Sequence, residues 1–477
     1  MTYLQDKQPQ KNAYDTTAPE ALKKFMTSQW KPRSRKVTAI KNAPVHAKRR
    51  ELLSKLFPKD TLLIPTGHEK VRANDTVYRF RPGSDFFWLT GNMEPDCALL
   101  MVPRPEGGHR SVLFVEPNPG KTDETFFTDR RKGELWVGPR LGVDESRVRF
   151  GVDEARPISQ LGEALESATG LTVLRGLSAE AEALCPPVAD RDGELAMALS
   201  ELRLYKDAVE VAELRKAIAS TQRGFEDVIK GLKRFGSERE VEGTFFLRAR
   251  TEGNDVGYGT IAASGQHACT LHWTHNDGRL KKTDLLLLDG GVEGNSLYTA
   301  DITRTLPISG KFSKVQREVY EAVHRAQAAA FTGVVPGNDF MEPNRRAMRV
   351  LAQWLVERGI LKCTLEEALD DQNQFYKRYT LHNVSHMLGL DVHDCAKARQ
   401  ESYKLGKVKA GMVLTVEPGL YFQDDDLTVP AKYRGIGVRI EDDVLVTEKG
   451  MVNLSKAIPS SADDVEKWMK KVSRAAR

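Results

Sequence analysis

The sequence predicts a protein of two domains that combine α-helices and β-strands. Its 477 residues are too many for one hydrophobic core and suit about two or three domains. In the first part, short apolar runs bounded by Gly, Pro or charge alternate with helical segments, as in an α/β domain. In the second part, two helices followed by strands occur twice.

The first domain is predicted to cover residues 45–200, after a basic, polar extension formed by residues 1–44. Helices are predicted at His46–Phe57 and Ile158–Ala168. Strands are predicted at Thr61–Pro65, Ser84–Thr90, Ala98–Val102, Ser111–Val115 and Leu171–Leu174. Pro186-Pro187 and the polar run Asp190–Gly193 mark the boundary region.

The second domain, residues 201–455, begins with a long helix whose apolar residues recur at helical spacing from Leu214 to Leu232. Ser237 and Glu240 form a capping-box pattern for the next helix. The following elements are strands at Leu285–Asp289 and Tyr298–Thr305, helices at Ser313–Phe331 and Glu342–Arg358, and strands at Val413–Glu417 and Ile436–Val446. Residues 456–477 are interpreted as a C-terminal tail.

The formal net charge of +5 is unevenly distributed. Residues 1–50 hold twelve Lys and Arg against three Asp and Glu, so the remainder of the chain sums to −4. We therefore expect no nucleic-acid binding by the folded part. The five cysteines are scattered without a CxxC pair, which disfavours a disulfide framework or a thiolate zinc site and favours a reducing compartment. Since the chain shows neither a membrane-spanning apolar run nor a signal-peptide core, we expect a cytoplasmic protein.

Acidic residues stand at the ends of apolar strands in the second domain. Asp289 closes a run of four leucines, and Glu417 ends Val413–Val416. A carboxylate in such a place is costly unless it is paired, capped or bound to a metal. Each acid alone also has a structural interpretation: a turn for Asp289, a salt bridge or solvated strand face for Asp301, and a salt-bridged strand face for Glu441.

Three histidines, His382, His386 and His393, lie within twelve residues of one another. A single histidine there is more often a core residue, whereas three so close favour a site. Two aspartates, one histidine and two glutamates form an oxygen-rich ligand set that suits Mn²⁺, Mg²⁺, Co²⁺ or Zn²⁺ better than it suits a thiolate-bound metal. Four carboxylates exceed what one divalent ion needs, and two ions balance their charge.

These motifs resemble those of the pita-bread metallopeptidases, specifically the bacterial Xaa-Pro aminopeptidases (aminopeptidase P). The motifs are Leu271–Thr274, Asp289–Gly291 with Asp301–Thr305, Ser385–Asp394, Val416–Tyr421 and Arg439–Asp443. Pro82–Gly91 and Glu134–Gly138 are similar to the N-terminal domain of that family. The resemblance implies a creatinase-like α/β domain followed by a pita-bread catalytic domain.

The resemblance also implies a role for each matching residue. The implied metal ligands are Asp289, Asp301, His386, Glu417 and Glu441, with Asp301 and Glu441 bridging two ions. Glu417 is also the implied general base. His272 and His393 are implied to contact substrate and stabilise the intermediate, and His382 and Arg439 are implied to lie around the proline pocket. Tyr421, the remaining implied substrate-binding residue, and Arg439 match positions that support the residues in contact with substrate. Mn²⁺ is the favoured ion, with Co²⁺ and Zn²⁺ as alternatives.

The reaction implied by the resemblance is release of the N-terminal residue from peptides that carry proline at the second position, by a hydroxide that bridges the two ions. The resemblance further implies a homo-dimer or homo-tetramer in which the N-terminal domain of one subunit lies near the active site of another. No membrane or nucleic-acid partner is expected.

Two departures from the family pattern concern the backbone. The interval from Asp289 to Asp301 is one residue longer than usual, which predicts a bulge or a longer hairpin near Gly294–Leu297. Asn383 stands where the family often has Gly.

Other members of this fold supply the alternatives. A prolidase, which takes only dipeptides and can act on organophosphates, shares the ligands. A metal-free creatinase-like enzyme and a non-catalytic binding protein are disfavoured because all five ligand positions are present.

Overall fold

The computed structural model describes residues 17–31 and 36–475, except the side chain of Ala189. Two compact units follow each other along the chain, one up to Leu202 and one from Arg203 onward. The predicted basic extension therefore lies partly outside the described residues, and the predicted domain limits stay predictions. All five cysteines carry free thiols. Within the described ranges, every helix is too short or too polar to cross a membrane.

The first unit is built on a mixed five-stranded sheet. Its strands and a separate hairpin are β1 Thr61–Pro65, β2 Val71–Ala73, β3 Thr76–Val77, β4 Ala98–Pro103, β5 His109–Val115, β6 Glu154–Pro157 and β7 Leu171–Val173. The order in the sheet is β6-β5-β4-β1-β7, with the outer pairs parallel and the inner pairs antiparallel. Leu63, Leu100 and Phe114 from this sheet pack with Ile158 and Leu161 in a buried core.

The helices that accompany this sheet are α1 Glu20–Met26, α2 Ala43–Leu56, α3 Ser84–Thr90, α4 Thr125–Thr128, α5 Glu134–Val137, α6 Val143–Phe150, α7 Leu161–Glu166, α8 Ala179–Ala183 and α9 Ala189–Arg203. The predicted strand at Ser84–Thr90 is therefore wrong, since this segment is α3. A short run that is apolar throughout does not reveal its period. Gly91, at φ +70°, ends α3 by donating its N–H to the carbonyl of Phe87. The polar run Asp190–Gly193, predicted to mark a boundary, lies inside α9.

The second unit contains the helices α10 Ala208–Gly231, α11 Glu238–Glu252, α12 Lys314–Phe331, α13 Glu342–Glu357, α14 Leu365–Leu369 and α15 Ala462–Ala475. Its strands are β8 Asp255–Val256, β9 Ile261–Ser264, β10 Leu285–Gly290, β11 Val292–Glu293, β12 Ile302–Pro307, β13 Val413–Val416, β14 Gly419–Phe422, β15 Ile436–Arg439, β16 Asp442–Thr447 and β17 Gly450–Asn453. The antiparallel sheets are β12-β10-β9, β13-β16-β17, β14-β15 and β11-β8.

The predicted order of two helices followed by strands is observed twice, with α10 and α11 before β9–β12, and α12 and α13 before β13–β16. The predicted capping-box residues begin α11, where the carboxylate of Glu240 accepts the backbone N–H of Ser237 at 2.9 Å. Similar boxes begin α10 at Asp207 and α12 at Ser313. These caps fix where each helix starts relative to the strands that follow it.

Two predicted strands differ at positions that matter for the site. The strand predicted at Tyr298–Thr305 begins only at Ile302, which leaves Asp301 directly before β12. The strand predicted at Ile436–Val446 divides into β15 and β16, with Glu441 between them. The break occurs because the backbone changes partner: Ile440 N–H donates to Pro418, and Glu441 N–H donates to Thr303.

The segment predicted as a C-terminal tail, residues 456–477, contains a packed helix, α15. Its residues Val465, Trp468, Met469 and Val472 are buried. Their spacing of three and four residues places them on one helical face, which packs against α10 and α12. The second unit therefore extends beyond residue 455 and closes with this helix.

Candidate active site

A cavity of about 720 Å³ in the second unit collects almost all of the predicted site residues. The predicted residues that line it are His272, Asp289, Asp301, His382, His386, His393, Glu417, Arg439 and Glu441. Tyr421 joins this group through hydrogen bonds of its hydroxyl to His382 and Arg439. Residues that are up to 169 positions apart in the sequence, from His272 to Glu441, thus border one space.

Strand register places the aspartates and Glu441 together. Asp289 of β10 pairs with Thr303 of β12, so Asp301 lies two residues before that position. The carbonyl of Thr303 accepts the backbone N–H of Glu441 at 3.0 Å, and its hydroxyl donates to Glu441 Oε2 at 2.7 Å. Arg439 Nη2 reaches Asp289 Oδ2 at 2.5 Å. The three acids are therefore held by a single hydrogen-bonded frame.

His386 and Glu417 are positioned by β13. The N–H of Glu417 donates to Val384 at 2.9 Å, and the N–H of Thr415 donates to the carbonyl of His386 at 3.0 Å. The hydroxyl of Thr415 accepts the N–H of His386 and lies 3.3 Å from Glu417 Oε1. Since Nδ1 of His386 lies 3.0 Å from the carbonyl of Met387, its Nε2 is the nitrogen directed at the acids.

The extra residue between Asp289 and Asp301 is accommodated by the turn Gly294–Leu297. The N–H of Leu297 donates to Gly294, and Leu297 takes a left-handed φ of +63°. Both aspartates still reach the hydroxyl of Tyr258. The predicted longer hairpin therefore leaves both carboxylates at the site, and Asn383 takes no left-handed φ.

Tyr258 and Thr303 are site residues that the sequence interpretation missed. The hydroxyl of Tyr258 lies 2.7 Å from Asp289 Oδ1 and also hydrogen-bonds to Asp301. Thr303 bonds Glu441 and accepts from Nε of Arg439 at 3.1 Å. Thr303 could have been found, because a residue two positions after Asp301 shares its strand face. Tyr258, between two glycines, gives no comparable signal.

The carboxylates of the cavity repel one another. Burial, reinforced by the charges of Asp301 and Glu417, raises the pKa of Glu441 well above its usual value. Burial also raises the pKa of Glu417 to about 7, against the opposing charge of His386. The pKa of Asp289 is raised by burial even though Arg439 lies against it. The cluster thus carries more negative charge than the surrounding protein neutralises.

The same acids act on the pKa of His386. Burial opposes its protonation, but the hydrogen bond to Asp301 and the charge of Glu417 outweigh burial and raise its pKa to about 9. Its Nε2 lies 3.3 Å from both Asp301 Oδ2 and Glu417 Oε1. One ligand atom each from Asp301, His386 and Glu441 all lie within 4.8 Å of one another. An oxygen-rich, negatively charged set of this kind fits a divalent cation.

His382, Tyr421 and Arg439 form a hydrogen-bonded chain beside the acids. Nε2 of His382 lies 2.7 Å from the hydroxyl of Tyr421, which accepts from Arg439 at 3.0 Å. Burial and the charge of Arg439 lower the pKa of His382 to about 4, so this imidazole is neutral at pH 7. Its Nδ1 lies 3.5 Å from Glu417 Oε2. The chain links Glu417 to Asp289 through these three side chains.

The remaining two histidines present exposed rings to the cavity. The ring of His393 packs edge-on against His386 with centroids 4.5 Å apart. Burial lowers the pKa of His393, and the charges of His386 and His272 add to that effect. Both His272 and His393 are therefore close to the acid cluster and free to meet a ligand.

A second buried acid lies directly after His393. Asp394 is fully buried and receives Lys206 Nζ at 3.0 Å on one oxygen and Arg203 on the other. Burial opposes its ionisation, but the charges of Arg203 and Lys206 prevail and lower its pKa to about 2. Here, in contrast to the cavity cluster, the protein supplies the compensating cations.

Comparison with known families agrees with this geometry. The model of metallopeptidase family M24 matches residues 212–448, and the model of the aminopeptidase P N-terminal domain matches residues 46–173. Xaa-Pro aminopeptidase 1 of Streptomyces coelicolor is 51% identical over 435 residues, covering 90% of this chain and 88% of that protein. The chain belongs to metallopeptidase family M24. Within this family it is similar to the Xaa-Pro aminopeptidases, including Xaa-Pro aminopeptidase 2 of the same organism, at 49% identity over 96% of this chain and 98% of that protein.

Solved structures of family M24 show the same fold. A glutamate-to-alanine variant of Escherichia coli aminopeptidase P in complex with substrate has a TM-score of 0.81 and 30% identity, covering 92% of this chain and all of that one. A zinc-substituted form of the same enzyme in complex with product has a TM-score of 0.80 at 31% identity over the same shares. The predicted family, the fold class and the assignment as a divalent-metal peptidase are therefore confirmed.

Proposed function

We propose that this chain is a metal-dependent exopeptidase that releases the N-terminal residue from peptides with proline at the second position. The observation that carries the proposal is the convergence of four acids and His386 on one cavity that is also bordered by His272, His382 and His393. Relatives named Xaa-Pro aminopeptidase, about half identical over nearly the whole chain, support the same activity.

We propose two divalent ions per chain, with Mn²⁺ favoured over Co²⁺ and Zn²⁺. The residues that would hold them are Asp289, Asp301, His386, Glu417 and Glu441. They fit because four carboxylates carry more charge than one divalent ion neutralises, and because burial and neighbouring acids raise the pKa of Glu417 and Glu441. When bound, such ions polarise a carbonyl and lower the pKa of a water molecule, which supplies a nucleophile near neutral pH.

Glu417 is the proposed proton carrier. It borders the cavity between two histidines, 3.3 Å from His386 and 3.5 Å from His382. This position lets it accept a proton from the attacking water and return that proton to the departing nitrogen of proline. A secondary amine leaves only after protonation, so this return is essential for an Xaa-Pro bond.

The three other histidines have proposed roles toward substrate. His272 and His393 would donate hydrogen bonds to the carbonyl oxygen of the scissile bond as negative charge develops on it. His382, fixed by Tyr421 and Arg439, would form the wall against which the proline ring packs. A neutral imidazole in that place offers a flat apolar face without a desolvated charge.

The substrate preference follows from the chemistry of proline. An Xaa-Pro bond has no N–H, so proline is recognised by shape rather than by a backbone hydrogen bond. The excess negative charge of the cavity attracts a free N-terminal ammonium, which favours exopeptidase action. The cavity is also lined by Gln400, Tyr403 and Lys404, which take no part in the proposed metal or proline contacts and leave room for residues after proline.

The test of this function compares matched peptides. We expect an Xaa-Pro-Xaa tripeptide to have a higher kcat/KM than the Xaa-Pro dipeptide, because contacts beyond proline add transition-state binding. Replacing that proline with alanine should remove most of the activity. A preference for the dipeptide would identify a prolidase instead, and equal cleavage of the alanine peptide would overturn the proposed proline specificity.

We further propose that the chain acts in the cytoplasm as a homo-dimer or homo-tetramer. Five free cysteines, four of them buried, support a reducing compartment. Sedimentation equilibrium of the purified protein tests the assembly, and a monomer at micromolar concentration would contradict it.

A further inference from the structure

A further buried carboxylate lies outside the set of residues that line the cavity. Glu238, the first residue of α11, is fully buried. Its Oε1 accepts the N–H of Ser264 at 2.7 Å and lies 2.9 Å from Nδ1 of His267. Its Oε2 accepts Nε1–H of Trp273 at 2.9 Å and the N–H of Gly278 at 2.8 Å. Four hydrogen-bond donors therefore converge on one side chain.

This arrangement requires a carboxylate. An ionised glutamate only accepts hydrogen bonds, so its two oxygens can serve all four donors, whereas an amide would present its own N–H₂ to two of them. Among the described residues, the ion pair formed by Glu238 is with His267. Since the carboxylate is compensated by directed N–H groups rather than by a mobile lysine or arginine, the positions of those groups are fixed closely.

All four donors belong to one segment, Ser264–Gly278, which joins β9 to β10 and carries His272. Trp273 directly follows His272, and its ring stacks on His267 with centroids 4.0 Å apart. A Cβ at Gly278 would lie 2.6 Å from the ring of His267 and 2.8 Å from Cδ of Glu238, so the segment closes tightly on the carboxylate.

The segment around His272 lacks regular secondary structure, and its other anchors are the packing of Leu271 and Trp273 on a buried cluster and the hydrogen bonds of the Asn276 side chain with Ala262 and Thr260. Its 3₁₀ turn ends at Cys269, and β10 begins only at Leu285. The side chain of His272 is exposed to the cavity. Glu238 thus adds a directed hydrogen bond to the packing that holds Trp273, the residue directly after His272.

We propose that Glu238 is a positioning residue for His272, acting through the indole of Trp273 to keep the imidazole directed into the cavity. This inference rests on the proposed function of His272 as a substrate contact. Glu238 itself touches neither the cavity nor the predicted metal ligands among the described residues.

The experiment is a double-mutant cycle on the full-length, metal-loaded protein with an Xaa-Pro-Xaa tripeptide. Glu238→Gln should lower kcat by about 10- to 100-fold, the size expected when a catalytic contact moves by about 1 Å, with metal content unchanged. Adding Glu238→Gln to His272→Ala should cause no further loss, because the misplaced group is already absent. The matched control is Glu240→Gln, which alters an exposed carboxylate of the same helical turn that caps Gly236 and Ser237, and should leave kcat unchanged.

Losses that multiply in the double variant, or an unchanged kcat in folded Glu238→Gln, would overturn the proposal. If Glu238→Gln does not fold, Trp273→Phe removes one donor and keeps an aromatic ring, and the same lack of additivity with His272→Ala is expected at smaller amplitude. Wild-type turnover tests the proposed function separately. The imidazole NMR signal of His272 tests the positioning without turnover: it should shift in Glu238→Gln and not in Glu240→Gln.

Discussion

Two buried acidic sites of the second unit differ in how the protein compensates their charge. Asp394 receives Lys206 and Arg203 on its two oxygens, and their charges lower its pKa to about 2 despite burial. In the cavity, burial and neighbouring acids raise the pKa of Glu417 and Glu441, and Arg439 contacts only Asp289 of the four carboxylates by a hydrogen bond.

The difference separates a structural acid from the proposed metal ligands. A buried carboxylate with its own cations is electrostatically complete, and a further cation would be repelled there. A buried cluster of carboxylates that lacks enough neighbouring cations is unfavourable until a bound cation neutralises its charge.

The largest effects are expected from removing the proposed bridging acids. Asp301→Ala and Glu441→Ala should each abolish turnover of an Xaa-Pro-peptide while the chain stays folded, because both ions lose a ligand. Activity, metal content and circular dichroism check this, with the exposed Asp463→Ala as the control. Near-normal turnover in either variant would show that the ligand assignment is wrong.

The two exposed histidines should matter for turnover but not for metal. His272→Ala and His393→Ala are expected to lower kcat by about 10²–10⁴-fold, the usual contribution of general acid–base or oxyanion contacts. Metal analysis of each variant should give the wild-type stoichiometry. Loss of metal would place these residues among the ligands.

Substitution of Asp394, the acid paired with Arg203 and Lys206, should lower the free energy of unfolding. Asp394→Asn leaves Arg203 and Lys206 buried without their counter-charge, and removing one partner of a buried ion pair costs about 3–5 kcal/mol of unfolding free energy. The control is Asp391→Asn, because Asp391 also bonds Arg203 but is 41% exposed, so about 0–1 kcal/mol is expected. Equal losses in urea denaturation would contradict the distinction between the two acids.

The free energy of unfolding should also depend on pH through the ionisation of Asp394. The pKa of Asp394 falls from 3.8 in its ordinary state to about 2 in the fold, so its contribution is complete above about pH 4 and is lost as the pH falls toward 2. The difference in unfolding free energy between wild type and Asp394→Asn should therefore shrink across that window. A difference in unfolding free energy that stays constant from pH 5 to pH 2 would show that the ionised Asp394 carboxylate does not stabilise the fold.

The predicted ligand set follows from the resemblance of the motifs to the family, and Asp289 and Glu417 are also visible locally because each stands at the end of an apolar run. Tyr258 and Glu238 could not be predicted, since their importance comes from partners that only the fold brings near. The error at Ser84–Thr90 has another cause, because a short run without polar residues carries no period. The helix Ala462–Ala475 was predictable, since Val465, Trp468, Met469 and Val472 follow the helical repeat.

The most direct test of the central claim is a titration of metal-stripped protein with Mn²⁺, following release of the N-terminal residue from an Xaa-Pro-Xaa tripeptide. We predict negligible activity without metal and a plateau at two ions per chain, because the four carboxylates of Asp289, Asp301, Glu417 and Glu441 carry more charge than one divalent ion neutralises. Full activity at one ion per chain, or activity that survives metal removal, would contradict this assignment of the acidic cavity.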